Sequence, residues 1–522
     1  MKRYFIYFYL LLFALTITSC SDFLKEDPKG RLTPDNYYSS QEELDMAVYA
    51  LYNKVCATQA SSYPMQIAWQ GDDITTNPSS NKQNFADMDA FHPSDGTAGV
   101  TWSWKTSYAV IKAANDIINN AEKTPTSEDE KNIAIGQAKY WRALNYFLLV
   151  KRFGPVPLNI NGDFDYNRPL TSVENIYKQV VTDLQACITI LPTKYKEEPR
   201  AIGGANIYIT KQAAQATLAA VYMAMAGWPL QKTEYYKEAA ELSKAVIDGV
   251  NSGIYEYILE TDFKNVYAPS HNYTNETVVG INFSGTFRWD EDSQLSKSNL
   301  FESLGGWGDG WGELQFWKDF PDGPRKNAIY NPKILKNNGR NGETELIDWW
   351  ETDEKHPMFC PNDTDYDYTK PAGYVSSNSH RHRLIRYSEI LLWYAEAQCR
   401  AEGSPNAMAY QCINQVRQRA GLAALPTNLN STDFIEACIR EHGWEVAGYI
   451  PALVTRRDDL MRLNRLEQVF YQRKQNPMLM LAPGITMKES VTIPENVTWK
   501  GEKSIYLPYP ALDAQLDNQL KR

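Results

Sequence analysis

Residues 383–422 read RLIRYSEILLWYAEAQCRAEGSPNAMAYQCINQVRQRAGL, and this stretch decides the fold. From Leu384 to Ala395 the apolar residues recur at the 3-4 spacing of one helix face. Gly403 fits a helix C-cap, and Pro405 fits the first position of a following helix, where a missing N–H costs nothing. The stretch therefore predicts two helices joined by a tight turn.

Helical hairpins of the same kind recur in the chain. Two further pairs of segments carry the 3-4 apolar spacing: 102–121 with 128–153, and 210–226 with 234–249. In the first hairpin, Ala395 and Ala407 lie twelve residues apart, the spacing of the small residues that let tetratricopeptide helices pack closely. Segments 59–100 and 251–380 lack this period. We predict a mainly α-helical fold, in which tetratricopeptide-like hairpins form a scaffold with an irregular insertion of loops and short strands.

Composition restricts the class of protein. The chain has 522 residues, of which 43% are hydrophobic and 22% charged, so a large core is expected. The net charge of −10 argues against a nucleic-acid partner. Trp and Tyr number 14 and 33, and each pairs a flat apolar ring with a polar group. Rings beyond the needs of the core would suit a carbohydrate binder, although core packing is the usual role of any single ring.

The N-terminus is typical of an exported lipoprotein. Lys2 and Arg3 precede an apolar run, 4–17, that is too short to span a membrane comfortably, and Ile-Thr-Ser-Cys20 resembles a lipobox. An ordinary signal peptide with an incidental cysteine is the alternative. We expect a signal peptide (1–19), a lipidated tether (20–35) and one domain (36–522). Within that domain we expect a helical scaffold (36–250 and 383–448), a ligand-binding insertion (251–382) and an irregular C-terminal region (449–522).

The remaining cysteines give little guidance. Six are left after Cys20, and none forms a CxxC pair, so a structural zinc site is not expected. An exported compartment permits disulfides, but the sequence names no pairing. Most of these cysteines fall on predicted helices, where a small buried hydrophobe is the usual role. They are Cys56, Cys187, Cys360, Cys399, Cys412 and Cys438.

Acidic residues were considered for catalysis, because a glycosidase needs two carboxylates that flank the sugar linkage. Two runs offer such pairs: Asp290, Glu291 and Asp292, and also Asp72 and Asp73. Acidic residues in loops are more often solvated turns. Nucleotide-binding, serine-hydrolase and zinc-protease motifs are absent from the sequence. We therefore expect no catalytic residues and no cofactor.

Metal binding is not expected either. The run of Asp363, Asp365 and Asp367 begins like a calcium loop, but Tyr368 stands where the turn needs glycine, and Tyr374 where the bidentate acid belongs. His380 and His382 alternate with arginines and read as a basic turn. The sequence leaves open whether a structural calcium is bound.

Tryptophans in the poorly patterned segments are the candidate ligand-binding residues. Residues 305–312 read GGWGDGWG, and the glycines leave the backbone free to expose Trp307 and Trp311. A tight turn that buries either ring is the alternative, but we favour a ligand surface. Trp289 has the same two interpretations. A second candidate cluster combines Trp69, Asp72 and Asn84.

Four segments together carry a family resemblance. They are RYSEILLWYAEAQ (386–398), INQVRQRAGL (413–422), RFGPVPL (152–158) and KSIYLPYPALDAQLDNQL (503–520). They resemble the SusD/RagB family of outer-membrane nutrient-binding lipoproteins. The matches touch both ends and most helices, whereas 59–100 and 251–380 match weakly. A common scaffold with variable binding loops would explain this distribution.

The resemblance implies a function. It suggests a lipid-anchored, surface-exposed outer-membrane protein that captures an oligosaccharide without cleaving it and delivers it to a SusC-like TonB-dependent transporter. Sugar rings would stack on Trp faces, and Asn, Asp and Gln would bond the hydroxyls. A RagB-like peptide binder of the same fold remains an alternative, and a surface glycoside hydrolase is a weaker one. The sequence does not name the sugar.

Overall fold

The structure is a computed structural model, and it describes residues 37–161, 168–284, 292–337, 344–359 and 379–521. Most of the regular structure is helical, and the strands are short. The prediction of a mainly α-helical fold is therefore confirmed. The expected signal peptide, Cys20 and the tether precede residue 37 and lie outside the described residues.

The α-helices are short in the insertion and long in the scaffold. In chain order they are α1 Gln41–Ala57, α2 Gln83–Asp89, α3 Ala98–Asn120, α4 Glu128–Phe153, α5 Val173–Ile190, α6 Lys211–Ala226, α7 Tyr235–Asn251, α8 Phe263–Val266, α9 Leu295–Ser298, α10 Leu314–Asp319, α11 Pro324–Ile329, α12 Tyr387–Glu402, α13 Ala407–Arg419, α14 Ser431–Glu445, α15 Arg456–Arg462, α16 Leu466–Gln475, α17 Glu502–Ile505 and α18 Ala511–Leu516. A longer 3-10 helix, Tyr63–Gln70, lies between α1 and α2.

The strands form antiparallel pairs. In the described part of the chain these are β1 Ile74–Thr75 with β7 Trp311–Gly312, β2 Val156–Pro157 with β3 Leu170–Thr171, β4 Ala201–Ile202 with β5 Ala205–Asn206, β6 Thr277–Ile281 with β10 His382–Arg386, β8 Lys333–Asn337 with β9 Thr344–Asp348, and β11 Leu479–Ala482 with β12 Ile485–Met487. Two of these pairs join distant segments of sequence, β1 with β7 and β6 with β10.

Residues 383–422 form the predicted hairpin, but its first helix begins later than the periodicity suggested. Leu384 and Ile385 lie in β10, which pairs with β6, and α12 follows directly from Tyr387. Both apolar side chains are buried in this strand pair. Pairing with a segment about a hundred residues away in sequence therefore overrides the local helical spacing, since strand formation depends strongly on context.

The turn of the hairpin also differs slightly from its prediction. Gly403 has φ of +76° and ends α12, as expected for a left-handed cap. Asn406 caps α13 by accepting a hydrogen bond from the Ala409 N–H at 2.8 Å, so Pro405 precedes the helix instead of opening it. Ala395 is fully buried at the centre of α12. A small residue therefore lies where the prediction required close helix packing.

The long helices pack in succession. Helix α3 packs on α4, α4 on α5, α5 on α6 and α6 on α7; α7 then packs on α12, and α12 on α13 and α14. Helices α7 and α12 are thus neighbours in space although residues 252–386 separate them in sequence. The helical scaffold is therefore continuous across the insertion. Because of this, the insertion can be irregular without interrupting the core.

The two segments without helical period meet each other. Strand β1 lies in segment 59–100 and β7 in the glycine-rich loop (305–312), and the pair brings Thr75 opposite Trp311. The adjacent Ile74 lies opposite Gly312. The sequence placed both segments in loops, but only the fold shows that they form one surface.

A buried ionic cluster attaches the insertion to the scaffold. Arg386 donates to Glu445 Oε1 at 2.7 Å and to Glu276 Oε1 at 3.2 Å, and Arg325 donates to Glu445 Oε2 at 2.9 Å. Arg419 also pairs with Glu445 and Glu276. Burial alone would raise the pKa of Glu445, but the three guanidinium groups lower it to about 2. This carboxylate therefore stays charged in the core at neutral pH.

Two general features complete the description. Within the described ranges, every α-helix is too short or too polar to cross a bilayer.

Five of the cysteines named above are buried free thiols, and Cys360 lies outside the described residues. The small-hydrophobe interpretation therefore holds for those five positions.

Candidate functional site

The glycine-rich loop is held in place by one buried aspartate. Asp309 accepts hydrogen bonds from Ser62 Oγ and Lys82 Nζ, both at 2.8 Å. Its carbonyl oxygen accepts a third, from Trp69 Nε1 at 3.1 Å. Burial raises the pKa of Asp309, and Lys82 opposes this shift. The three donors all come from residues 62–82, so they join the two irregular segments.

Glycine is required in this loop for close approach. At Gly306, a Cβ would lie 2.0 Å from the Leu300 carbonyl oxygen. Gly305 has φ of +87°, a conformation that residues with side chains rarely adopt. The glycines therefore let the loop pack tightly against the insertion, which differs from the predicted role of exposing both indoles.

An open groove of about 540 Å³ lies where the two segments meet. Residues from both segments, and one from the C-terminal region, line it: Asn77, Pro78, Glu302, Ser303, Trp311, Asp353, Glu354 and Ser490. Its volume is within the range of small-molecule sites. The groove is therefore a candidate for the ligand site.

The groove is supported from beneath by a neutral histidine. The His356 ring stacks on Trp311 with centroids 5.2 Å apart, and His356 Nε2 lies 2.9 Å from Ser490 Oγ. Burial lowers the pKa of His356 to about 4, so the imidazole carries no charge at neutral pH. These contacts hold Trp311 and Ser490 in fixed positions at the groove.

Two polar atoms at the groove are buried without a partner in the described part of the chain. One is Glu354 Oε2; the other carboxyl oxygen, Oε1, accepts from the Ser303 N–H at 3.2 Å. The second is Trp311 Nε1. Buried polar atoms normally have partners, so an acceptor and a donor remain for a ligand or ordered water.

A pair of exposed aromatic rings begins next to Ser62, one of the donors to Asp309. Tyr63 is 36% exposed and Trp102 50% exposed, and their rings stack with centroids 6.3 Å apart and an interplanar angle of 28°. Tyr63 also packs on Phe85, which packs on Trp69 in the core. Burial and the nearby charge of Asp309 raise the pKa of Tyr63. The pair therefore packs, through Phe85, on the Trp69 side chain that donates to Asp309.

Sequence reasoning missed this aromatic pair. The sequence places Trp102 at the start of a predicted helix, 102–121, but Trp102 falls outside the buried stripe that contains Trp104, Tyr108 and Ile111. Its position outside this stripe is the feature of the sequence that indicates exposure of Trp102. The exposure of Tyr63 depends on which residues fold over its loop, and the sequence carries no comparable signal for it.

The structure corrects the stacking role predicted for two tryptophans. Trp69 is 0% exposed and Trp311 is 3% exposed, so neither presents a ring face to a sugar. Trp69 is a core side chain that binds the loop, and Trp311 forms part of the groove wall. Trp307 is partly buried, and Lys297 Nζ lies 5.2 Å from its ring centroid. Trp289 lies outside the described residues.

The two polar residues of the predicted cluster have structural contacts. Asp72 accepts from Arg456 Nε at 2.7 Å and from Nη2 at 2.9 Å, a bidentate pair. Asn84 Oδ1 accepts from the Ala98 N–H at 2.8 Å, at the start of α3. Together with the burial of Trp69, these contacts leave the predicted cluster without the arrangement of a sugar site.

The other acidic and histidine candidates are also engaged or undescribed. Asp73 accepts from the Gly448 N–H at 2.8 Å, and burial raises the pKa of Asp73 to about 7. Asp292 accepts from Ser284 Oγ at 3.1 Å, and His382 is fully buried. Among the described residues, His, Cys, Asp and Glu form no cluster that could hold a metal. Asp290, Glu291 and the predicted calcium run 363–367 lie outside the described residues.

Fold and site together define a class: a helical-hairpin scaffold that has an open polar groove in its irregular segments and also carries a pair of exposed aromatic rings. Residues 288–522 match the sequence model of the SusD family. Residues 22–223 match a second model, described as "Starch-binding associating with outer membrane". The two models together match both halves of the chain, and the chain is SusD-like.

Relatives and solved structures agree with this assignment. SusD-like protein P2 of Formosa agariphila is 26% identical over 447 residues, which cover 81% of this chain and 83% of that protein. A SusD homologue from Bacteroides thetaiotaomicron has the same fold, with a TM-score of 0.75 at 20% identity over 94% of this chain and 98% of the other. A chain crystallised with a xylogluco-oligosaccharide has a TM-score of 0.70 at 20% identity, over 92% and 98%.

Proposed function

We propose that this protein captures an extracellular oligosaccharide at the cell surface and does not cleave it. The observation that carries the proposal is the exposed Tyr63–Trp102 ring pair. Ser62, which precedes Tyr63 in the chain, donates a hydrogen bond to Asp309 in the loop that borders the open groove. The structural neighbour solved with a xylogluco-oligosaccharide supports a glycan as the ligand class.

The binding mechanism follows from the chemistry of a sugar ring. One face of the ring is apolar, and covering it removes C–H surface from water, which stabilises the complex by roughly 25 cal/mol per Å². Tyr63 and Trp102 offer such surface. Asn77, Ser303 and Glu354 at the groove offer donors and acceptors for hydroxyl groups. Stacking would supply affinity, and the polar groups would supply orientation.

We expect Trp102→Ala to weaken binding of the glycan ligand by about 2 kcal/mol, roughly 30-fold in Kd, because one or two aromatic anchors dominate most interfaces. Tyr63→Ala should act in the same direction. Folding should be nearly unchanged, since half of the Trp102 side chain is already exposed. Calorimetric titration with a glycan identified on an array, together with a thermal melt, measures both effects.

Tyr49→Ala is the matched control. Tyr49 is 39% exposed on α1, in the scaffold, and its loss should leave binding unchanged. Equal affinity in wild type, Trp102→Ala and Tyr63→Ala would contradict the proposed site. Binding of peptides with no binding of glycans would favour the RagB-like alternative. Cleaved products after incubation with a glycan panel would contradict the non-catalytic role.

We infer further that lipid at Cys20 anchors the protein in the outer membrane, where it serves a SusC-like TonB-dependent transporter. The lipobox-like sequence and the family description support this location. Cys20→Ala should move the protein from the membrane to the soluble fraction of cells that lack the transporter, because the lipid would be its only membrane attachment. Retention of the variant in the outer membrane of those cells would contradict the anchor.

The transporter partnership has its own test. Affinity purification of the tagged wild-type protein from detergent-solubilised outer membranes should recover a TonB-dependent transporter in comparable amount. Purification from cells in which that transporter gene is deleted is the control. Recovery of the protein alone from wild-type membranes would argue against a stable complex.

A further inference from the structure

The charge of the groove is one-sided. Three carboxylate side chains line it, those of Glu302, Asp353 and Glu354. Within the described part of the chain, the lining includes no Lys, Arg or His. Glu302 and Asp353 are exposed, whereas Glu354 is only 9% exposed. A ligand that enters the groove therefore meets negative charge from the wall and the rim.

The nearby cations lie outside the lining of the groove. Lys82 pairs with Asp309 at 2.8 Å on the loop, and Lys297 lies over the ring of Trp307. His356 beneath the groove is neutral at neutral pH. Lys355 and Lys488 are exposed neighbours in sequence, but neither lines the groove. The acidic character thus persists at the ligand surface.

The arrangement around Glu354 points to a ligand. The Ser303 N–H fixes one oxygen of this carboxylate at 3.2 Å, and the second oxygen is buried without a partner among the described residues. A buried carboxylate oxygen is stabilised only when a donor or a cation reaches it. A hydroxyl or an ammonium group of a sugar supplies such a donor, whereas a sugar carboxylate or sulfate supplies only acceptors and a like charge.

We propose that this groove selects oligosaccharides by charge: it favours amino-bearing sugars over neutral ones and rejects sugars that carry uronate or sulfate groups. This inference rests on the proposed function. Glu302, Asp353 and Glu354 are then specificity-determining residues. They discriminate mainly by repelling acidic sugars, since like charges brought together in a partly desolvated site are unfavourable.

The test uses the full chain and glycans matched in backbone but different in charge. The array carries β-1,4-linked hexamers of glucose, glucosamine and glucuronate, and galactose oligomers with and without sulfate. We expect glucosamine hexamers to bind best, neutral hexamers less well, and acidic ones at least about tenfold more weakly than their neutral counterparts. Added salt should reduce this penalty, because ions screen the exposed carboxylates.

Charge-neutralising variants identify the residues responsible. Glu302→Gln and Glu354→Gln keep the side-chain shape. Each should reduce the ratio of neutral-glycan affinity to acidic-glycan affinity by about threefold to tenfold. An unchanged melting temperature confirms that the variant is folded. Glu241→Gln is the matched control: Glu241 lies exposed on α7 in the scaffold, and its substitution should leave the ratio unchanged.

The outcomes separate this inference from the proposed function. Acidic glycans that bind as well as their neutral counterparts would overturn the charge selection and leave glycan capture intact. The same conclusion would follow if neither Gln variant changed the ratio. Absence of binding to every glycan class would overturn the proposed function and the charge selection together.

Discussion

Glu445→Gln is expected to lower the free energy of unfolding by about 3–5 kcal/mol, because removing one partner of a buried ionic cluster leaves the others uncompensated. Glu445 is fully buried, and its carboxylate receives hydrogen bonds from Arg386 at 2.7 Å and Arg325 at 2.9 Å, and pairs with Arg419. Gln retains the size of the side chain but not its charge. Urea denaturation followed by tryptophan fluorescence measures the loss.

An exposed pair supplies the control for this prediction. Glu436 pairs with Arg465 at 2.8 Å, and both side chains are more than one-third exposed. Such pairs contribute only about 0–1 kcal/mol, so Glu436→Gln should change stability little. Similar losses in the two variants would mean that the Glu445 cluster is not closed to water.

The same cluster predicts acid sensitivity. The pKa of Glu445 is lowered to about 2 in the folded state, below the value of about 4.3 for an unperturbed glutamate. A lowered pKa contributes stability that is fully present above the unfolded value and is lost as the pH falls toward the folded value. The contribution of Glu445 should therefore disappear between about pH 5 and pH 2. Glu445→Gln should show a correspondingly smaller loss over that interval.

Trp69→Ala has the second large expected effect, a destabilisation of about 3–5 kcal/mol, the range for large-to-small changes at buried aromatic side chains. Trp69 is fully buried against Phe85, and its Nε1–H donates to the Asp309 carbonyl oxygen at 3.1 Å. The variant therefore loses a packed ring and a tether of the glycine-rich loop. Thermal and urea denaturation measure the stability.

Trp307→Ala is the matched substitution. Trp307 is partly exposed in the same loop, so its truncation should cost much less than that of Trp69. If Trp307 contributes to glycan binding, affinity should fall while stability is retained. Equal stability of wild type and Trp69→Ala would show that Trp69 is not a core residue and would restore its predicted role at the ligand surface.

The buried ionic cluster and the glycine-rich loop lie in different parts of the fold. The scaffold helices bury most of the apolar core, and the ionic cluster ties the insertion to them. The groove lies on segments that contribute less to the scaffold. Ligand specificity can therefore differ between family members with little change to the helices, because loop residues are less constrained by packing.

The sequence by itself determined the helical class, the hairpin at 387–419 and the positions of the irregular segments. Helix periodicity and Gly403 as a cap are readable because they depend on neighbours a few residues away. The sequence also singled out residues 305–312 as a special loop. Helix periodicity and cap residues predicted the conformation correctly where local interactions decide it.

Only the tertiary structure decided which tryptophans are exposed. Trp69 precedes Gln70, and Trp102 lies between Thr101 and Ser103, yet Trp69 is covered by Gly310 and Phe85, and Trp102 is left open. Gly310 lies more than two hundred residues from Trp69, and a Cβ there would approach the indole Cζ2 to 3.1 Å. Burial depends on such distant partners, and neither composition nor periodicity encodes the contact between them.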